Sequence, residues 1–142
     1  MASLERRVAI DAARAAGQLL RSELLGSRRI AYKGTSTNLV TEMDARAEEL
    51  IVRRLRSAFH DAGILAEERG AEPGRSGRRW IIDPLDGTTN YAHTLPMFSV
   101  SIALETERRI QLGVVCDPNL DELYVPERDR GATVNDHRLA VS

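Results

Sequence analysis

The stretch Trp80-Ile81-Ile82-Asp83-Pro84-Leu85-Asp86-Gly87-Thr88-Thr89-Asn90 changes character twice. Trp80-Ile81-Ile82 is a short apolar run suited to a buried strand, and Pro84 bars a simple helix between the two aspartates that follow. Gly87 permits close approach to the backbone. Thr88 and Thr89 suit the opening of a short helix whose free N–H groups would receive a phosphate. A strand end carrying Asp83, the Leu85 carbonyl and Asp86 offers three oxygens of the kind a hard cation such as Mg²⁺ prefers. The same residues also spell ordinary Asx-Gly turn chemistry, and composition alone leaves that reading open.

Upstream, Ile64-Leu65-Ala66 reads as a second short buried strand, running into Glu67-Glu68. If the two strand ends are neighbours, Glu67 and Glu68 come beside Asp83 and Asp86. Such a gathering of carboxylates is destabilising unless cations neutralise it. For Glu68 a solvated acidic turn competes with this. Between the strands, residues 69–79 hold three glycines and a proline and predict a mobile surface loop. Further back, residues 3–25 predict an amphipathic helix with Leu4, Val8, Ala12, Ala15 and Leu19 on one face, Ser3 as N-cap and Gly26 as stop. Residues 30–40 predict a strand or loop pair. A second helix then starts at a capping box of Thr41 and Asp44. It runs to about His60, with Ala47, Leu50, Ile51, Leu55, Ala58 and Phe59 inward.

Downstream, runs at 98–105, 110–116, 122–125, 132–135 and 138–141 are apolar or alternating and are separated by turn residues. Gaps this short favour antiparallel neighbours over helical crossovers. The expected fold class is therefore α+β, with two N-terminal helices packed on an antiparallel β-meander in a single domain over 1–142. Cys116 and Trp80 read as core, and His93 as structural.

Bulk composition narrows the class. Hydrophobic residues at 42% and charged residues at 29% fit a globular chain. A net charge of −1 gives no footprint for nucleic acid. No run approaches the ~20 apolar residues of a membrane span. The N-terminus lacks a signal-peptide pattern, and a single cysteine, Cys116, permits no internal disulfide, so a cytoplasmic location is expected. Lys33 is the only lysine, which makes it a residue to watch.

The segment from Trp80 to His93 closely resembles the first signature motif of the inositol monophosphatase family. Asn38 to Asp44 looks like that family's helix-opening segment, and Ile64 to Glu68 like its acidic strand end. Phe98 to Leu104, Gly113-Val114-Val115 and Gly131 to Asn135 resemble its meander, so the likeness runs along the whole chain. It implies the first half of a layered α/β/α/β/α sandwich and a Mg²⁺-dependent hydrolase of small phosphorylated substrates, in which paired metals activate water and neutralise the phosphate. By this likeness Glu67, Asp83 and the Leu85 carbonyl would hold one Mg²⁺, and Asp83 and Asp86 would contribute to a second. The Gly87 and Thr88 N–H groups would hold the phosphate, and Asp44 and the Thr88 hydroxyl would orient the attacking water. Glu67 would thus join the catalytic set, and Lys33 would lie near the substrate.

Two of these residues keep competing roles: Asp44 as a capping carboxylate and Lys33 as a solvated surface lysine. Family members are much longer, and a Trp-Asp motif in their second half completes the second metal site; that motif has no counterpart in these residues. The chain therefore reads as the N-terminal, metal-binding portion of such a fold. Its expected roles are a phosphatase of the inositol phosphate type, a relative acting on another sugar, histidinol or nucleotide phosphate, or a non-catalytic metal and phosphate module that needs a partner chain. The resemblance also implies a homodimer.

Overall fold

A computed structural model describes residues 3–27 and 36–139. The chain opens with two helices, α1 (Leu4–Ser27) and α2 (Ser36–Ala58). The strands are β1 (Gly63–Ala66), β2 (Gly70–Glu72), β3 (Arg78–Asp86), β4 (Ser99–Thr106), β5 (Arg109–Asp117), β6 (Glu122–Glu127), β7 (Gly131–Val134) and β8 (His137–Arg138). A short helix, α3 (Thr88–Ala92), lies between β3 and β4. The strands form one eight-stranded sheet in the order β2-β1-β3-β4-β5-β6-β7-β8. The expected α+β class is borne out, with every pair from β3 to β8 antiparallel.

Alternation along the strands puts one side chain in two onto the core face. Trp80, Ile82, Val100, Ile102, Leu104, Leu112, Val114, Cys116, Leu123 and Val125 are buried there. α1 packs on β4 and β5, and α2 packs on β3 and on α1. Trp80 meets Phe59 with ring centroids 5.6 Å apart, closing the far end of α2 over the sheet. Burial drives the Cys116 thiol up to about 11, as suits a small core residue.

Several expectations need correction. α2 begins at Ser36, so residues 36–40 are helical rather than strand or loop, and Thr41 and Asp44 lie inside the helix. Asp44 therefore has no capping-box role. The buried face of α1 is Ala9, Ala12, Ala13, Ala16, Leu20 and Leu24; Leu4 is exposed, and Val8 and Leu19 sit at the rim of the core. Small side chains let that helix lie close to its neighbours, and the larger Leu and Val residues that suggested the other face cover the edge. Ser3 does cap α1, its hydroxyl accepting from the Arg6 N–H at 3.2 Å, but the helix runs one residue past Gly26. In α2, Ala58 is exposed while Met43 and Val52 are buried.

Nor is 69–79 a simple loop. Gly70, Ala71 and Glu72 return along β1 as an antiparallel strand. Because β2 takes the outer edge, β1 and β3 pair directly and parallel, making the sheet mixed. Lys33 lies outside the described residues, as does the end of the run expected at 138–141.

Candidate active site

The parallel register of β1 and β3 sets Ala66 beside Ile82. The next residue on each strand is acidic, so Glu67 leaves β1 level with Asp83 on β3. Glu67, Glu68 and Arg69 form the three-residue loop of the β1–β2 hairpin, and Gly70 takes the left-handed backbone (φ +68) that such a loop needs at its end. Glu67 and Glu68 are both exposed.

Asp83 and Asp86 are three residues apart, which would put them on opposite faces of a regular strand. The ladder to β4 prevents this: Asp83 pairs with Ser101, and Asp86 with Ser99. Three steps on β3 thus match two on β4, a bulge that turns both aspartates to the same face while Pro84 and Leu85 are buried. The bulge is bridged by the Leu85 N–H, which donates to the Asp83 carboxylate.

Gly87 follows at φ +100 as the N-cap residue of α3. A Cβ there would lie 2.8 Å from the Met97 carbonyl oxygen and 3.2 Å from the Phe98 Cα, so both conformation and space demand glycine. The same Met97 carbonyl accepts from Asn90 Nδ2 at 2.9 Å. Tyr91 anchors α3 to α1 by donating its hydroxyl to the Leu20 carbonyl at 2.9 Å and packs edge-on against Phe98. Thr88 stands exposed at the first position of α3. His93, exposed at the other end, donates its backbone N–H to the Thr89 and Asn90 carbonyls.

α2 supplies the other wall. Asp44 and Glu48, one turn apart on its buried face, are 5% and 2% exposed. The Asp44 carboxyl stands beside that of Glu67. Burial, then Glu67, then Glu68 and Glu48, push Asp44 up to about 7. Its Oδ1 is buried and has no hydrogen-bond partner. Asp83 is also raised, by burial first and then by Asp86 and Glu67, against the lowering effect of the Leu85 N–H. Glu67 acts on both aspartates and links the pair from α2 to the pair on β3.

Among the described residues, no three His, Cys, Asp or Glu side chains are drawn tightly enough to enclose an ion. The chemistry of the carboxylates nevertheless fits a hard divalent cation: all-oxygen donors, two of them with raised proton affinity, and a buried Asp44 oxygen that lacks a partner. Glu48 was not anticipated from sequence, although its phase with Asp44, Ala47 and Ile51 placed it on the inward face. Of the expected site residues, the structure brings Asp44, Glu67, Asp83, Leu85, Asp86, Gly87 and Thr88 to one end of the β1–β3 pair.

A family model for the inositol monophosphatase family matches residues 3–142. The chain belongs to this family. An inositol-1-monophosphatase of Mesorhizobium japonicum is 44% identical over 138 residues, 95% of this chain and 52% of that protein. A histidinol-phosphatase of Chlorobaculum parvum is 42% identical over 96% of this chain and 52% of its own length. The crystal structure of the extragenic suppressor protein suhB from Bartonella henselae superposes with a TM-score of 0.88 at 40% identity, covering 99% of this chain and 55% of that one. The chain thus spans about half the length of the curated relatives it matches. Family membership supports phosphatase activity at the level of the family. No helix among the described residues is long and apolar enough to cross a membrane.

Proposed function

We propose that this chain is the N-terminal metal- and phosphate-binding portion of a Mg²⁺-dependent phosphomonoesterase that cleaves an inositol phosphate to inositol and phosphate. The observation that carries the reading is the alignment of Glu67 with Asp83 across the parallel β1–β3 pair, with Asp86 turned to the same face and Asp44 beside Glu67. Glu67, Asp83 and the Leu85 carbonyl would hold one Mg²⁺, and Asp83 and Asp86 would take part in a second. When bound, the metals supply a lowered pKa for water and neutralisation of the phosphate and the leaving oxygen. The Gly87 and Thr88 N–H groups would receive the phosphate at the uncapped start of α3. Asp44 and the Thr88 hydroxyl would orient the water. Lys33 is proposed to lie near the substrate. The likeness also suggests a cytoplasmic homodimer.

The Thr89-Asn90-Tyr91-Ala92-His93 stretch favours the inositol type over other phosphorylated substrates, while the 42% identity to a histidinol-phosphatase keeps a second substrate in view. A second reading is a non-catalytic metal and phosphate module that needs a partner chain.

Phosphate release from inositol 1-phosphate by residues 1–142, with and without Mg²⁺, tests the proposal beside Asp83→Asn. Mg²⁺-dependent release that falls at least about a hundredfold in the variant is expected. A folded chain that binds Mg²⁺ without turnover supports the module instead. A folded chain that neither binds Mg²⁺ nor turns over contradicts both.

A further inference from the structure

Glu48 has no place in the roles above, yet it is only 2% exposed and projects from the apolar face of α2 among Ala47, Ile51 and Val52. A buried carboxylate is costly unless its partners offset the lost hydration. A leucine there would continue the core without that cost. The partners of Glu48 come from one place. Its Oε1 accepts the Glu68 N–H at 2.9 Å, and its Oε2 lies 3.8 Å from Arg69 Nε. Both belong to the β1–β2 loop, immediately after Glu67. The Arg69 guanidinium is held in turn by Glu49, the next residue on α2.

One turn earlier on the same helix face, Asp44 stands beside Glu67. α2 therefore holds the loop at two points, by Glu48 at the backbone that follows Glu67 and by Glu49 at the Arg69 side chain. The Glu67 and Glu68 side chains are exposed, and the β1 and β2 ladders hold the two ends of the loop.

We propose that Glu48 is a positioning residue that fixes the Glu67-Glu68-Arg69 loop and so holds Glu67 level with Asp83 for a divalent cation. The proposal rests on the reading of Glu67 and Asp83 as cation ligands. The useful property of Glu48 is a hydrogen-bond acceptor at a set reach from α2, and its charge is secondary. Outer groups that orient ligands in this way are typically worth about 10- to 100-fold in metal affinity.

Mg²⁺ binding by the whole chain, followed by calorimetry at pH 8, separates acceptor from charge. Glu48→Gln keeps the acceptor and its reach but loses the charge, and should bind Mg²⁺ within about threefold of wild type. Glu48→Asp keeps the charge but withdraws the acceptor by one methylene, and should bind about tenfold or more weakly. Glu48→Leu should bind as weakly as Glu48→Asp; if it does not fold, the ranking of Gln over Asp still decides. Metal-free unfolding midpoints, measured alongside, show whether affinity changes at unchanged stability. Asp binding as well as or better than Gln would overturn the proposal, as would a folded Glu48→Leu that binds like wild type. Failure of the wild-type chain itself to bind Mg²⁺ would overturn the underlying site reading, and this proposal with it.

Discussion

α1 and α2 are 24 and 23 residues long and lie side by side on one face of the sheet, yet they bury different chemistry. The inward face of α1 is wholly apolar, from Ala9 to Leu24. That of α2 has Met43, Ala47, Ile51, Val52 and Leu55, but Asp44 and Glu48 interrupt it. The difference follows what each helix faces. α1 lies over the middle of the sheet, on β4 and β5 and away from the strand ends that carry the acidic residues. α2 lies over β3, whose last residues end in a bulge beside an acidic loop. α1 is thus built for stability, whereas α2 gives up stability to hold two carboxylates at a strand end.

The comparison sharpens under substitution. The largest expected effect is on chemistry: Asp83→Asn should remove Mg²⁺-dependent phosphate release while leaving the α1 side of the fold intact. Next, Leu20→Ala in α1 deletes a fully buried side chain and should cost about 2–5 kcal/mol in denaturant unfolding, equally at pH 5 and pH 8.

The α2 counterpart should have the opposite sign and depend on pH. Asp44 is raised from its ordinary 3.8 to about 7, so the native chain binds that proton more tightly than the unfolded one. Stability from this group is full below about pH 4 and is lost as pH rises through about 7. Without metal, Asp44→Asn should therefore be more stable than wild type at pH 8, by a margin on the order of 3 kcal/mol, and nearly equal to it at pH 4. A variant no more stable at pH 8 than at pH 4, relative to wild type, would break the contrast. Smallest of all, Arg54→Ala removes the surface ion pair to Asp11 that joins the two helices, and should cost about 1 kcal/mol or less because both groups are largely exposed.

The two helices also differ in how much of them was legible. The meeting of the two acidic strand ends could be read because Ala66-Glu67 and Ile82-Asp83 carry the same apolar-to-acidic step, while the Asp83 to Thr88 stretch by itself also fitted a turn. The α1 face was misread because its alanines carry less hydrophobic weight than Leu4 and Leu19, although small residues are what close packing needs. The start of α2 was misread because Thr41 and Asp44 make a better local cap signal than Ser36, and local signals yield to tertiary packing. Gly70-Ala71-Glu72 has a loop's composition; its strand exists only because the β1 edge is there to pair with. Glu48 was missed because a glutamate on a charged helix ordinarily faces water, and its neighbours Glu68 and Arg69 are distant in sequence.

The central claim is that the carboxylates at the end of β1 and β3, with Asp44 behind them, are held against their own repulsion for a divalent cation. The most direct test is the thermal unfolding midpoint of residues 1–142 at pH 8, with and without saturating Mg²⁺, beside Asp83→Asn. A cation at about a hundred times its dissociation constant adds about 2.7 kcal/mol, which is a rise of several degrees for a chain of this size. The account predicts that rise in wild type and its loss in Asp83→Asn. An unchanged midpoint in a folded wild-type chain, or an equal rise in the variant, would contradict it.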